Sequence, residues 1–211
     1  MKKHLLLFAA IILSITSGFS QASFSTGAIE VVVNQYGRIR VYNSAGLQQM
    51  WRTSLLVGTS STTVFDYEND AETLEPPLLV SSPASSDFEI YGAFDNTYSA
   101  LPPDVIEKLY VYGWTNGNYI IAKYNVKNDE PAAINAIIGL DIIPYIDETD
   151  GHDTVTYNST KNVIRIHRGA ETNTGIKLLS APLTSLYSFE WYDGYSVDAD
   201  YWTWDFGDGT V

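Results

Sequence analysis

"NYIIAKYNVKNDEPAAINAIIGLDII", from Asn118 to Ile143, carries the strongest structural signal in the chain. In its first part Ile120, Ala122, Tyr124 and Val126 alternate with Tyr119, Ile121, Lys123, Asn125 and Lys127. A period of two with one apolar and one polar side is the mark of a half-buried strand. "DEPA" (129–132) supplies turn residues. The run "INAIIGLDII" (134–143) follows and is apolar on both sides, the pattern of a central strand covered on both faces. Together they predict a hairpin whose second arm lies inside a sheet.

The same grammar extends both ways. "AIEVVVN" (28–34) and "GRIRVYN" (37–43) flank Gln35-Tyr36 as a hairpin, and "WRTSLLVGT" (51–59) with "TTVFDYE" (62–68) makes a second pair. Residues 69–87, with Pro76, Pro77, Pro83 and many serines, read as loop. "DFEIYGAF" (87–94) and "VIEKLYVYGW" (105–114) are strands. The latter sets Val105, Glu107, Leu109 and Val111 against Ile106, Lys108, Tyr110 and Tyr112. "DTVTYN" (153–158), "NVIRIHR" (162–168), "GIKLLSA" (175–181) and "LYSFEWY" (186–192) complete the set. Pro103–Tyr110 comes nearest to a helical turn, but no window sustains a helical period. About a dozen short strands at close spacing predict an all-β fold, an antiparallel β-sandwich.

The N-terminus follows a different rule. Lys2 and Lys3 precede the apolar run Leu5–Leu13, and the small residues Ser20 and Ala22 follow it. This is the layout of a signal peptide, so export is expected, with cleavage after Ala22. Residues 1–22 form the leader, 23–200 the sandwich domain and 201–211 a separate element. No second apolar run of spanning length follows, so no membrane insertion is expected after cleavage. The chain has a formal charge of −13, and loss of the two leader lysines makes it more negative. Such a surface repels nucleic acid and anionic lipid. There is no cysteine, so a hydrophobic core must supply the stability that disulfides give many exported domains.

Candidate chemistry is sparse. "DETDGHD" (147–153) gathers Asp147, Glu148, Asp150 and Asp153 around Gly151. Asp147, Asp150 and Asp153 offer the hard oxygens Ca²⁺ takes, although the spacing is not that of an EF-hand, and a solvated turn is the competing reading. No other cofactor is expected. Asp141, within "GLDII", interrupts an apolar run and would need a partner there. "FDYENDAE" (65–72) reads as a charged loop leaving a strand. In "WYDGYSVDADYW" (191–202), Trp191, Tyr192, Tyr195 and Trp202 alternate with acids. They are either ordinary strand residues or a carbohydrate-stacking surface. No G-x-S-x-G elbow or H-E-x-x-H motif occurs. His152 sits in the acidic loop and His167 in a strand. A glycosidase needs only two carboxylates, and no particular pair stands out.

Two stretches resemble known modules. "NYIIAKYNVKNDEPAAINAIIGLDIIPYID" (118–147), with "GAIEVVVNQYGRIRV" and "SLLVGTSSTTVFDYENDAE" nearer the start, resembles an uncharacterised β-sandwich module. That module occurs near the N-terminus of large secreted and surface proteins of Gram-negative bacteria, many of them bearing a type IX secretion sorting domain. The resemblance covers roughly residues 28–200 and implies no catalytic residues. "WDFGDGT" (204–210) is similar to the signature of PKD domains, immunoglobulin-like modules of surface proteins. This resemblance implies that residues 201–211 open a further, truncated domain. The expectation is therefore a non-catalytic accessory, adhesion or binding module of a larger secreted or surface protein. Its partners would be the other domains of that polypeptide and a polysaccharide or cell-surface ligand. A carbohydrate-binding module and a secreted hydrolase are the alternatives.

Overall fold

The computed structural model describes residues 21–148, 153–169, 171–188, 199, 201 and 202. The alternations become strands, and their apolar sides decide how the sheets meet. The first sheet runs β1 (Ala22–Ser25), β2 (Ile29–Val33), β3 (Ile39–Asn43), β4 (Gln48–Ser60) and β10 (Ile137–Pro144), with β5 (Thr63–Phe65) paired to the far end of β4. The second runs β6 (Glu72–Leu79), β7 (Phe88–Asp95), β8 (Val105–Gly113) and β9 (Ile120–Asn128). A third, smaller sheet holds β11 (Thr154–Asn158), β12 (Val163–Arg168) and β13 (Glu171–Lys177). All pairings are antiparallel. The chain is an all-β, sandwich-like protein.

The first two sheets share one interior. Phe24, Val31, Val33 and Ile39 of the first pack against Ile90, Phe94, Leu109 and Val111 of the second. Next to them Leu55, Val57 and Phe65 meet Val105, Tyr124 and Val126. The third sheet has its own cluster, in which Ile164 and Ile166 pack with Ile146 and with Ile142 of β10.

Turn chemistry fixes the ends. Between β2 and β3, Asn34 Oδ1 accepts the N–H groups of Tyr36 (3.0 Å) and Arg38 (2.9 Å), an Asx-type closure. Gly37 sits there at φ +86°, and a Cβ on it would lie 2.9 Å from a ring carbon of Phe94. Left-handed backbone and a packed neighbour both demand glycine. The Thr26 hydroxyl donates to the Gly117 carbonyl (2.7 Å) and Asn116 N–H to the Thr26 carbonyl (2.7 Å). These bonds tie the β1–β2 turn to the β8–β9 turn across the two sheets.

Four local expectations change. The 118–128 and 134–143 segments are not hairpin partners. β9 pairs with β8, from Gly113↔Ile120 to Val105↔Asn128, and β10 pairs with β4. "DEPA" does make a turn, with Asn128 Nδ2 donating to the Ala132 carbonyl at 2.8 Å, but the turn crosses from one sheet to the other. β10 is also not central, since it ends the order of its sheet, and Ile137 and Ile138 are exposed. Part of its two-sided apolarity serves the third sheet, whose core takes Ile142. The proline-rich 69–87 segment contains β6. Pro76 and Pro77 fit because β6 is an edge strand whose register breaks between Thr73/Glu75 and Glu75/Leu78, where a missing N–H costs no ladder bond. Residues 186–188 are not strand, and the rest of the expected 186–192 strand lies outside the described residues.

Candidate binding surfaces

The three aspartates offered for Ca²⁺ are engaged separately where they are described. Asp147 takes left-handed backbone (φ 53°) in the middle of the short turn Ile146–Glu148, and its Oδ1 accepts Gln49 Nε2 at 2.9 Å. Asp153 is paired with Arg168 Nε at 3.0 Å. Asp150 and His152 lie outside the described residues. Among the described residues no group of three His, Cys, Asp or Glu side chains is placed to hold a metal. Of the aromatic set, Trp202 is half-buried against Leu56, Val64 and Tyr201, and Trp191, Tyr192 and Tyr195 lie outside the described residues. His167 Nδ1 is 3.0 Å from the Gly169 carbonyl.

Asp141 does have its partner. Its carboxylate lies 2.5 Å from Arg52 Nε, and the two side chains are 8 % and 5 % exposed. Arg52 reaches Glu68 as well, at 3.2 Å, and lies over the Tyr67 ring at 5.6 Å. The register explains the meeting: Asp141 is opposite Ser54 and Ile143 opposite Arg52, so Arg52, Ser54 and Asp141 share the face of the first sheet that points away from the sandwich core. In the neighbouring 66–70 loop Asp66 and Asp70 are buried while Glu68 is exposed. The Asp66 carboxylate accepts from the N–H groups of Glu68 (2.6 Å) and Asn69 (2.9 Å) and from Asn69 Nδ2 (3.0 Å). Burial nevertheless pushes the Asp66 carboxyl up to about 7, with Asp70 adding to the rise. Tyr201 packs on Leu56 and Val64 on this face, and burial and the Asp66 charge hold its phenol well above the ordinary range. The arrangement is an ionic cluster with a buried Arg52–Asp141 centre and an exposed Glu68, and it has the properties of a structural joint. Sequence marked only Asp141, because β4 and β10 are far apart in the chain and meet only through pairing.

The second sheet presents a different outer surface. Positions alternating with the buried Ile90, Leu109 and Val111 carry Tyr91 on β7 and Tyr110 and Tyr112 on β8. Cross-strand pairing sets Leu78, Tyr91, Tyr110 and Lys123 in one row, with Glu89, Tyr112 and Ile121 in the next. The Tyr91 and Tyr110 rings are 5.0 Å apart, and those of Tyr110 and Tyr112 are 6.3 Å apart and nearly parallel at 6°. Tyr91 donates its hydroxyl to Glu75 at 2.9 Å, and Lys123 Nζ is 5.5 Å from the Tyr110 ring centre. Burial first, and then the Glu75 hydrogen bond, push the Tyr91 phenol up to about 12; burial and Glu89 raise Tyr112. The Tyr91 and Tyr112 phenols therefore remain neutral donors across the physiological range.

An open acidic depression is lined by Asp95, Asp104, Asp129 and Glu130 beside Pro102. The Asp104 carboxyl is raised there, by burial and by the charges of Asp129, Glu130 and Asp95. Its backbone is fastened at both ends: Asp104 N–H donates to Glu130 (2.9 Å), and Asp129 N–H donates to the Asp104 carbonyl (2.9 Å).

No protein-family model, curated protein or solved structure matches this chain.

Proposed function

We propose that the chain is a non-catalytic binding module of a larger exported protein, and that the outer face of its second sheet takes a polysaccharide. The cluster of Tyr91, Tyr110 and Tyr112 supports this reading. Aromatic rings side by side on a rigid sheet give an apolar platform for the flat faces of sugar rings, with protonated hydroxyls at the margin to hydrogen-bond them. Glu75, Glu89 and Lys123 frame the rings with further polar groups. The leader-like N-terminus and the PKD-like "WDFGDGT" favour an exported, multi-module protein.

Affinity electrophoresis against a panel of soluble and insoluble polysaccharides tests the proposal. At least one polymer should retard the protein. A Tyr91→Ala/Tyr110→Ala/Tyr112→Ala variant, checked to melt cooperatively, should lose affinity by about tenfold or more, equivalent to about 1.4 kcal/mol. Equal retardation of the variant would refute the platform, and lack of retardation by every polymer would refute the glycan reading.

A further inference from the structure

The outer face of the first sheet holds charge that nothing described neutralises. Arg38, immediately before β3, and Arg40 and Tyr42 within it stand at alternate positions, with Ile39 and Val41 turned to the core. The Arg38 guanidinium lies over the rings of Tyr67 (5.4 Å) and Trp51 (5.8 Å). Arg52, on the neighbouring strand, is neutralised by Asp141 and Glu68. Arg38 and Arg40 make no ion pair with any described carboxylate, and the Nε of each is shielded from solvent without a hydrogen-bond partner. On β2 the residue opposite Arg40 is Val32 and the residue opposite Tyr42 is Glu30, yet Glu30 does not close on either arginine. The pairing of β3 with β4 is irregular between Ile39 and Tyr42, which re-aims side chains locally. Two guanidiniums without an ion pair, at alternate positions at the start of one strand in a chain carrying 25 acidic residues, are an unusual feature that the core does not require.

We infer that Arg38 and Arg40 form a site for the carboxylate of an acidic saccharide, with Tyr42 beside it for the sugar ring. The Arg38 guanidinium lies over aromatic rings and its Nε is shielded, which leaves the Nη1/Nη2 end for a coplanar acceptor, and a carboxylate matches that end with two parallel hydrogen bonds. A densely charged polyanion is disfavoured by the net charge of −13, whereas one carboxylate on an otherwise neutral ring is not. The site is on the opposite outer face from the tyrosine cluster and stands independently of it.

Calorimetric titration of the full chain with a neutral oligosaccharide ending in a single galacturonic acid, its methyl ester and inorganic phosphate at equal ionic strength tests the assignment. The acid should bind, the ester should bind about tenfold or more weakly, and phosphate should not displace the acid. Arg38→Gln and Arg40→Gln should each weaken the acid by a similar factor, and the triple tyrosine variant should leave it unchanged. No binding of the acid, equal binding of the ester, or displacement by phosphate would overturn the carboxylate site. Ester and acid are compared on the unaltered chain, so the result stands even if an arginine variant folds poorly. Loss of acid binding in the triple tyrosine variant would overturn the placement on this face.

A second observation concerns processing and rests on the export reading. Ala22 is the first residue of β1, pairs with Val33 and is 7 % exposed in the core. Cleavage after Ala22 would remove it and put a new ammonium group at Ser23, inside the ladder. Gly18 and Ser20 are equally small at −3 and −1 of a cut two residues earlier, and Gln21, exposed and outside the strand, can carry the charged terminus. We infer that the mature chain begins at Gln21. Intact mass and terminal-peptide sequencing of the exported protein should give Gln21. The same residue cyclised is also expected: the α-amine attacks the side-chain Cδ and ammonia leaves. A Ser23 start, or an exported chain that still starts at Met1, would overturn the assignment, and a chain found only inside the cell with Met1 in place would overturn the export reading itself.

Discussion

Asp141→Ala is expected to lower the free energy of unfolding by about 3–5 kcal/mol, the usual cost of breaking a buried ion pair from one side. Arg52 is 5 % exposed and would lose the buried carboxylate, while its other ion-pair partner, Glu68, has a side chain 51 % exposed and therefore screened by water. The guanidinium cannot leave easily, because it lies over Tyr67 in a face packed beside Leu56, Val64 and Tyr201. Arg52→Ala should cost a similar amount, since it removes the buried cation beside Asp141. Glu68→Ala should cost less than about 1 kcal/mol, as exposed partners do. The informative variant is the double replacement Arg52→Met/Asp141→Leu, which removes both charges and fills the space with apolar groups. It should recover most of the loss, because desolvation offsets much of the attraction in such pairs. Urea unfolding of these variants, with Arg52→Met and Asp141→Leu made singly to close the cycle, gives the coupling energy. A double variant as damaged as the sum of the singles would show that the two residues act separately and that the joint described here is wrong.

How much of this was legible in advance follows from which interactions are local. Alternation along a strand is local, so the strands and the all-β class could be read. Period two placed Glu107 with Val105, Leu109 and Val111, and all four face the core. It also put Tyr110 and Tyr112 on one side of a strand, but the platform needs Tyr91 from β7 in register with Tyr110, and registers between strands are not written in either strand alone. The same limit misplaced β9 and β10. The turn chemistry at "DEPA" is real, but whether a turn closes a hairpin or changes sheets depends on who offers the free ladder. β4, at 13 residues, is long enough to offer edges to β3, β5 and β10 together. β6 was hidden because prolines argue against strands in general, yet an edge with register breaks tolerates them. Asp141 could be marked as needing a partner, since a lone charge among isoleucines has no other explanation. That the partner is Arg52 is a fact of pairing. The burial of Asp66 and Asp70 had no sequence signal beyond an acidic loop.

Glu107 makes the second large prediction, and its sign runs opposite to that of a paired carboxylate. Its side chain is 4 % exposed between the sheets, close to Gly37, Phe94 and Tyr124. Its Oε1 and the Tyr124 hydroxyl are both buried without a hydrogen-bond partner. Burial alone pushes the Glu107 carboxyl from 4.5 up to about 8, so it is a neutral acid in the folded protein at pH 7. Below pH 4.5 folded and unfolded chains are both protonated at this position, and it costs nothing. Between 4.5 and about 8 the unfolded chain releases this proton while the folded chain keeps it, so stability falls as pH rises. Above about 8 both are ionised and the full loss, on the order of 3–5 kcal/mol, is present. Asp66, raised to about 7, adds a loss of the same sign that is complete near neutrality. Glu107→Gln has the shape of the neutral acid and cannot ionise. It should match the wild type at pH 5, exceed it by a few kcal/mol at pH 9, and retain only the shallower slope due to Asp66. Melting temperatures of both proteins from pH 5 to pH 9 measure the difference, and the opposing effect of the Arg52–Asp141 pair cancels because both proteins contain it. Parallel curves would mean that Glu107 is ionised and solvated in the folded chain. The two sheets would then have to part around it, contrary to the packing of Leu109 and Phe94 on either side.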